Sequence, residues 1–279
     1  MKARLQGRRG PPPLQPYFDL WKLLRKDSVR SEHTSAVFTI APAAYAGALA
    51  AGALLVPVLW VPAPLGAWGD AITLVGLFAL ARFALALAGL DTGSAFGGMG
   101  SSREVAVAAL AEPALLLALF AAAWRSGGTD LSAIAAGLTS AGPAISAGPV
   151  LAFAALAIVT IAETGRVPVD NPDTHLELTM IHEGMLLEYS GRPLGILLWA
   201  TLVKQAVLFT LLVGVFFPWG IASSAADLPL AVPALLLKLG ALAIAVALVE
   251  SSGAKLRIFR VPELLGAAFA LAVLSLVAD

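Results

Sequence analysis

Seven apolar segments constrain this chain more than any other feature: 36–61, 71–90, 105–124, 144–163, 193–217, 229–249 and 261–278. Each is about 18–26 residues long, enough for a helix to cross ~30 Å of hydrocarbon. With a mean hydropathy of +0.86 and only 13% charged residues, the expected fold is all-α, a polytopic transmembrane helix bundle. Residues 1–279 read as a single membrane domain, because the longest polar connection is one loop at 163–192 and nothing resembles a separate soluble domain. Small residues crowd the spans, as in Ala43–Ala53 and Gly240–Ala247, and let helices approach closely, so a compact bundle is expected. No internal repeat at a fixed period is evident.

Orientation follows from the basic residues. The segment 1–33 carries Lys2, Arg4, Arg8, Arg9, Lys22, Arg25, Lys26 and Arg30. If it is cytoplasmic, Arg103, Arg166, Arg192, Lys255, Arg257 and Arg260 fall on the same side, against Arg125 alone on the other. That asymmetry places the 163–192 loop in the cytoplasm. After Pro11-Pro12-Pro13, the spacing of Tyr17, Leu20, Trp21 and Leu24 predicts a short amphipathic helix on the membrane surface. The opening MKARLQGRRGPPP has no apolar stretch behind its bases and is not expected to be a signal peptide.

The loop concentrates chemistry. Glu163, Asp170, Asp173, Glu177, Glu183 and Glu188 are six of the 18 acidic residues of the chain, gathered between two spans. Ionisable groups at a membrane are costly unless solvated, paired or used. Pro168 and Pro172 are expected to keep their neighbours extended, and a helix is expected from about Thr174 to Tyr189. On such a helix Glu177 and Glu188 share one face, and His175 and His182 another. Metal binding is not expected: His182-Glu183 continues Gly-Met-Leu, so HExxH fails, and the histidines stand two turns apart.

Within the spans lie Arg82, Glu112, Glu163, Lys204, Lys238 and Glu250. Each costs about 2.5–3.5 kcal/mol at a helix centre, so mutual pairing is expected. Lys238 and Glu250 fit interhelix pairs or groups reaching a headgroup, whereas Arg82, Glu112, Glu163 and Lys204 fit a polar path through the bundle. Pro113, directly after Glu112, removes a helix hydrogen bond and opens the backbone there. The run Phe96-Gly97-Gly98-Met99-Gly100-Ser101-Ser102-Arg103 has neither a preceding strand nor GK[ST], which argues against a nucleotide loop. It reads as a tight connection ending in a helix capped by Ser101 or Ser102, with Glu104 in the first turn. Without cysteine, the chain offers no thiolate or iron–sulfur ligands. Outside the first 30 residues no basic face is interleaved with aromatics, which argues against nucleic acid as a partner.

The runs AETGRVPVDNPDTHLELTMIHEGMLLEYSG, KARLQGRRGPPPLQ, LDTGSAFGGMGSSREVAVAALAEP and LVESSGAKLRIFRVPELL resemble the H-type subunit family of respiratory complex I. Within it they look most like the membrane subunits of energy-converting group 4 [NiFe] hydrogenases, the formate hydrogenlyase subunit 4 and hydrogenase-4 component C type. Glu163, Arg166, Pro168, Asp170, Glu177, Glu188, Tyr189, Ser190 and Gly191 match positions shared with the complex I branch. There, acids of this loop belong to a quinone cavity and an acidic channel leading into the membrane. Asp91-Thr92-Gly93, the glycine run and Thr174-His175-Leu176-Glu177 favour the hydrogenase branch.

The resemblance implies a multi-pass subunit of the inner (cytoplasmic) membrane that anchors peripheral redox subunits and couples their chemistry to ion movement. Its implied partners are the lipid bilayer, [NiFe] hydrogenase large and small subunits, an iron–sulfur subunit and antiporter-like membrane subunits, which hold the [NiFe] centre and clusters. The candidate relay and coupling residues are Glu163, Asp170, Glu177, Glu183 and Glu188 of the loop, together with the charges placed within or at the ends of the spans, Glu112, Arg82, Lys204, Lys238 and Glu250. Arg166, Pro168, His175, His182, Tyr189, Arg192 and Arg103 are implied to shape the loop and its docking face. A quinone-site subunit of a complex I-like dehydrogenase, or a stand-alone secondary ion transporter, are the competing readings. The family has eight spans, the first ahead of the ARLQGRRG stretch, so the reading frame upstream of Met1 is expected to encode about 20 further apolar residues. The purified subunit, free of partners, is expected to show no iron–sulfur EPR signal and neither uptake nor evolution of hydrogen; either signal would contradict an anchoring role.

Overall fold

The computed structural model describes residues 3, 6–141, 146–170 and 180–278. In chain order the helices are α1 (Gln15–Arg25), α2 (Ala36–Leu55), α3 (Ala71–Asp91), α4 (Ala95–Ser126), α5 (Leu131–Ala141), α6 (Ala147–Glu163), α7 (Gly191–Phe216), α8 (Leu228–Ser252) and α9 (Val261–Ala278). Among the described residues there is no β-strand, only two isolated bridges. The all-α polytopic expectation therefore holds. Six of these helices are long and apolar enough to cross a membrane; α6, at the expected segment 144–163, is shorter at 17 residues. The chain is a multi-pass membrane protein.

Helices α2, α3 and α4 pack in sequence, α4 continues onto α6 and α9, and α7 closes against α2. Helix α8 rests mainly on α7 and is the least buried of the long helices. Polar and backbone contacts distinguish the two ends of the bundle. At one end the Val61 N–H donates to Ala222 O (3.1 Å) and the Leu131 N–H to Gly69 O (2.7 Å). Trp60, Trp68, Trp124 and Trp219 gather at that end, partly or largely exposed, as an interfacial aromatic belt does. At the other end the loop after α6 meets the chain before α9 through Leu256 N–H to Pro168 O (2.8 Å). There the side chain of Asp91 accepts from the Ser35 N–H at 2.8 Å and caps α2.

Helix α1 forms where the spacing predicted it, with none of its residues fully buried. Elsewhere the structure corrects the expectations. The glycine run is not a connection: α4 begins at Ala95, capped by Ser94, and is 32 residues long, about 48 Å. Ser101 is buried and donates to Ala86 O (2.9 Å), so neither it nor Ser102 is a cap. The glycines serve close packing. A Cβ on Gly100 would stand 3.0 Å from Ile181 O and 3.1 Å from the Gly184 carbonyl carbon. Gly89 and Gly97 touch each other's helices in the same way. Small residues let α3, α4 and the loop end meet backbone to backbone.

The second correction concerns the loop. Residues 166–170 turn instead of running extended, with the Val169 and Asp170 N–H groups both donating to Arg166 O (2.9 and 3.1 Å). The Val167–Pro168 peptide is cis. Residues 174–179 of the expected helix, with His175 and Glu177, and also Asp173 and Pro172, lie outside the described residues. From Met180 to Tyr189 the backbone makes a single 3₁₀ turn at Glu183–Met185 and then bends, so no continuous helix runs there. Met180, Ile181, Met185, Leu186 and Tyr189 are all buried, because the segment is wedged against α3 and α4. Helix α5, an 11-residue helix joining α4 to α6, was not expected either.

Gly100→Ala is expected to cost about 1–3 kcal/mol, because the added methyl meets backbone that cannot yield. Gly76→Ala, with nothing within 4 Å of the new Cβ, is expected to be neutral or stabilising by up to about 1 kcal/mol. Thermal unfolding in detergent micelles separates the two; equal effects would contradict the packing role.

Candidate functional site

Arg82 and Glu104 stand equally far from the tight turn joining α3 and α4, about 13 Å along their helices, so the antiparallel pair places them side by side. The Arg82 Nε lies 3.5 Å from Glu104 Oε1. Another nitrogen of the same guanidinium contacts Glu112, two turns further along α4. The third, NH2, makes a bidentate contact to Glu163 at 2.7 Å to both oxygens. Glu163, the last residue of α6, also meets Lys204 Nζ of α7 at 2.6 Å. Four helices thus contribute to one cluster. The side chains of Arg82, Glu163 and Lys204 are 6%, 2% and 8% exposed, while Glu112 keeps 30%. Three carboxylates face two cations there.

A cavity beside the cluster is lined by Tyr45, Glu104, Asp170, His182, Thr201 and Lys204, among others. Thr201 Oγ1 donates to Leu197 O at 3.0 Å, as a helical threonine does. Its proton is thereby committed, so Tyr45 OH (3.2 Å) and His182 Nε2 (3.3 Å) both donate to it. His182 is thus the Nε2–H tautomer, and burial holds it below the ordinary histidine range. The Arg82 Nε carries no hydrogen bond within normal limits, only the longer contact to Glu104.

A second set of charges continues from the cluster along the loop end. Gln205, next to Lys204, accepts from Arg166 NH2 at 2.8 Å, and Arg166 NH1 lies 3.4 Å from Glu250 at the end of α8. Asp170 pairs with Lys255 at 2.6 Å and accepts from the Ile181 N–H at 3.2 Å. Pro168 holds the chain before α9 through its carbonyl.

The sequence-predicted set divides accordingly. Arg82, Glu112, Glu163 and Lys204 come together, with His182 and Asp170 on the adjoining cavity. Lys238 stands at the other end of the bundle, where its ammonium donates to Phe217 O (2.6 Å) and Trp219 O and lies 4.4 Å from the Trp219 ring centroid. It closes the C-terminus of α7. Glu183 is half-buried, and Glu188 and Arg192 are exposed. Arg103 donates to Met180 O at 3.0 Å, pinning the loop to α4. Tyr189 stacks on Phe38 with ring centroids 3.9 Å apart and donates to Phe38 O at 2.8 Å; burial raises its phenol above the ordinary value. Sequence reasoning missed Glu104, Tyr45, Thr201 and Gln205. Only Glu104 had a signal, its distance from the α3–α4 turn, and that was hidden by taking the glycine run for a connection. Among the described residues no cluster of His, Asp and Glu suits a metal ion.

A profile of the NADH dehydrogenase family matches residues 1–278. The chain belongs to that family. It is 40% identical over 278 residues to formate hydrogenlyase subunit 4 of Escherichia coli K12, covering 99% of this chain and 90% of the relative. With hydrogenase-4 component C of the same organism the identity is 34% over 277 residues, covering 99% and 87%. An H-type NADH-quinone oxidoreductase subunit of Syntrophobacter fumaroxidans is 30% identical over 222 residues, 74% of this chain and 66% of the relative. A chain in the structure of the membrane-bound sulfane sulfur reductase, an archaeal respiratory membrane complex, shares the fold: TM-score 0.83 at 21% identity over 99% of this chain and 89% of that one.

The cluster makes Arg82 the residue whose loss is hardest to absorb. Arg82→Met is expected to lower stability by about 3–5 kcal/mol, because it strands Glu163 and its neighbours without their main partner. Arg82→Met with Glu163→Gln is expected to recover part of that loss in thermal unfolding, the signature of direct coupling. A double variant no better than the single one would mean that the two groups stabilise the bundle independently.

Proposed function

We propose that this chain is the membrane-anchoring and ion-coupling subunit of a group 4 [NiFe] hydrogenase complex of the formate hydrogenlyase type. The identity of 40% across 99% of the chain supports the assignment. The observation that carries the mechanism is the Arg82–Glu163–Lys204 cluster directly beneath the acidic loop. With three carboxylates against two cations, a single proton balances it. A proton gained by the cluster changes how Arg82 and Lys204 divide their contacts among Glu104, Glu112 and Glu163. Coupled acids of this kind titrate as a set, so one proton changes the whole group. The Gln205–Arg166–Glu250 contacts extend the same coupling toward α8.

In this reading the loop end faces the cytoplasm in the inner membrane, an orientation that the distribution of basic residues supports. The large, small and iron–sulfur subunits dock there, and the redox cofactors belong to them. Exposed Glu188 and Arg192 serve that docking face, with Glu177, His175 and Glu183 completing the loop. Antiporter-like membrane subunits complete the assembly beside the bundle. A second reading, a quinone-site subunit, draws on the 30% identity to an NADH-quinone oxidoreductase subunit and on the cavity beside Tyr45 and His182. Metal analysis of the native complex separates them, since a nickel-containing partner supports the first alone.

Glu163→Gln keeps the shape and most hydrogen bonds but removes the negative charge that holds Arg82 and Lys204. Ion translocation per turnover in vesicles is expected to fall at least about tenfold, which is ~1.4 kcal/mol of lost coupling, with assembly intact. Glu188→Gln is expected to leave the cluster unperturbed and to act, if at all, on docking. Unchanged translocation in Glu163→Gln, or collapse of assembly, would reduce the loop to a docking surface.

A further inference from the structure

Helix α1 has one flank against the protein and one flank that the other described residues leave exposed. Its inner flank lies on the start of α7: a Cβ on Gly195 would stand 3.2 Å from Leu23 Cβ and 3.4 Å from Leu24 Cδ2. Gly195 is four residues into α7, about 6 Å, so α1 lies at the level of the first turns of a membrane-crossing helix. On the outer flank Tyr17, Phe18 and Trp21 are 69%, 59% and 58% exposed. Three large aromatic side chains at that level sit where the headgroups of a bilayer meet its acyl chains.

The charges lie beside them. Lys22 and Lys26 are one turn apart beside the aromatic flank, and Arg25 rises within that flank, with its guanidinium 4.4 Å from the Trp21 ring centroid. All three are exposed, and none makes an ion pair with another described residue. The α7 N-terminus adds Arg192, also exposed, and Ser190 does not cap it because its hydroxyl is spent on Val29. An aromatic flank immersed in acyl chains with cations along its water-side edge matches an anionic phospholipid surface.

We propose that α1 is an anionic-lipid clamp: Lys22, Arg25 and Lys26 bind the phosphate headgroups of acidic phospholipids while Tyr17, Phe18 and Trp21 insert beside them. The contact has a consequence for the bundle. The chain leaving α1 passes directly over the end of the acidic loop, where Gly191 touches the Asp27 backbone and the Ser190 hydroxyl bonds both the N–H (2.8 Å) and the carbonyl (3.1 Å) of Val29. Seating α1 on lipid therefore also holds the Ser190–Gly191 end of that loop.

Because the chain has no cysteine, one reporter thiol is easily placed. The full chain carrying Phe18→Cys, labelled with an environment-sensitive fluorophore, is reconstituted in nanodiscs of phosphatidylcholine alone or with phosphatidylglycerol, with native mass spectrometry counting retained lipids. Phosphatidylglycerol is expected to blue-shift the label and to be retained preferentially. Lys22→Ser/Arg25→Ser/Lys26→Ser is expected to lower that retention at least about tenfold. The charge-preserving Lys22→Arg/Arg25→Lys/Lys26→Arg is expected to keep it, which separates loss of charge from loss of fold. Equal retention of the two lipids, no difference between the triple variants, or displacement by millimolar inorganic phosphate would each overturn the proposal; the last would mean a soluble-anion site. A label shielded equally in both lipids by another protein surface would overturn it as well.

Discussion

Burying the Arg82 guanidinium among apolar helices is the constraint on which the rest of the bundle depends. Between helices in a bilayer the hydrophobic effect supplies little preference for one neighbour over another, since lipid tails are as apolar as leucine. Registry has to come from groups that cannot tolerate lipid. Five charges from α3, α4, α6 and α7 meet in one cluster, and each would cost a few kcal/mol if left alone at a helix centre. Sliding α4 by one turn against α3 would carry Glu104 and Glu112 about 5 Å from the guanidinium. The glycine contacts enforce the same register by steric means, because Gly89, Gly97 and Gly100 let backbones approach only where no Cβ intervenes. Charge and close packing thus select one arrangement from several of similar hydrophobic merit.

The spans and α1 were legible because their signals are simple: length and apolarity for the first, a 3.6-residue period for the second. The members of the charge cluster were legible as well, since Arg82, Glu112, Glu163 and Lys204 stand out in apolar runs. Their pairing was not, because nothing in one sequence says which helices adjoin. Glu104 escaped for a different reason. Glycine and serine at 97–102 are poor helix formers in water, and the run looked like a turn. In the bundle the same residues are chosen for smallness, and α4 simply extends through them. The segment 180–189 misled in the opposite direction. Met180, Ile181, Met185 and Leu186 are buried because protein surrounds the segment, not because one face of a helix turns inward. Burial on several sides erases the link between apolar spacing and secondary structure.

The residues matching the family's shared pattern in this stretch perform two different jobs. Tyr189, Ser190 and Gly191 hold: a stacked and hydrogen-bonded ring, a hydroxyl clamped on Val29, and a backbone at φ +55° passing tightly over Asp27. Asp91 and Gly93 hold in the same sense, one by capping α2 and the other by turning the chain at φ +64°. Glu163, Arg166 and Asp170 instead carry charge into networks reaching α3, α7, α8 and the chain before α9. The two ends of the loop are therefore anchored by different physics. A change of charge at Glu163 acts at once on ion pairs at the 163–170 end. At the 185–191 end it meets apolar packing at Met185 and Leu186 and neutral hydrogen bonds at Tyr189 and Ser190, which respond weakly to charge. Ion pairs through Arg82, Lys204 and Arg166 thus tie the start of this loop to the bundle and to α8, while Tyr189, Ser190 and Gly191 tie its far end by stacking, neutral hydrogen bonds and close backbone contact.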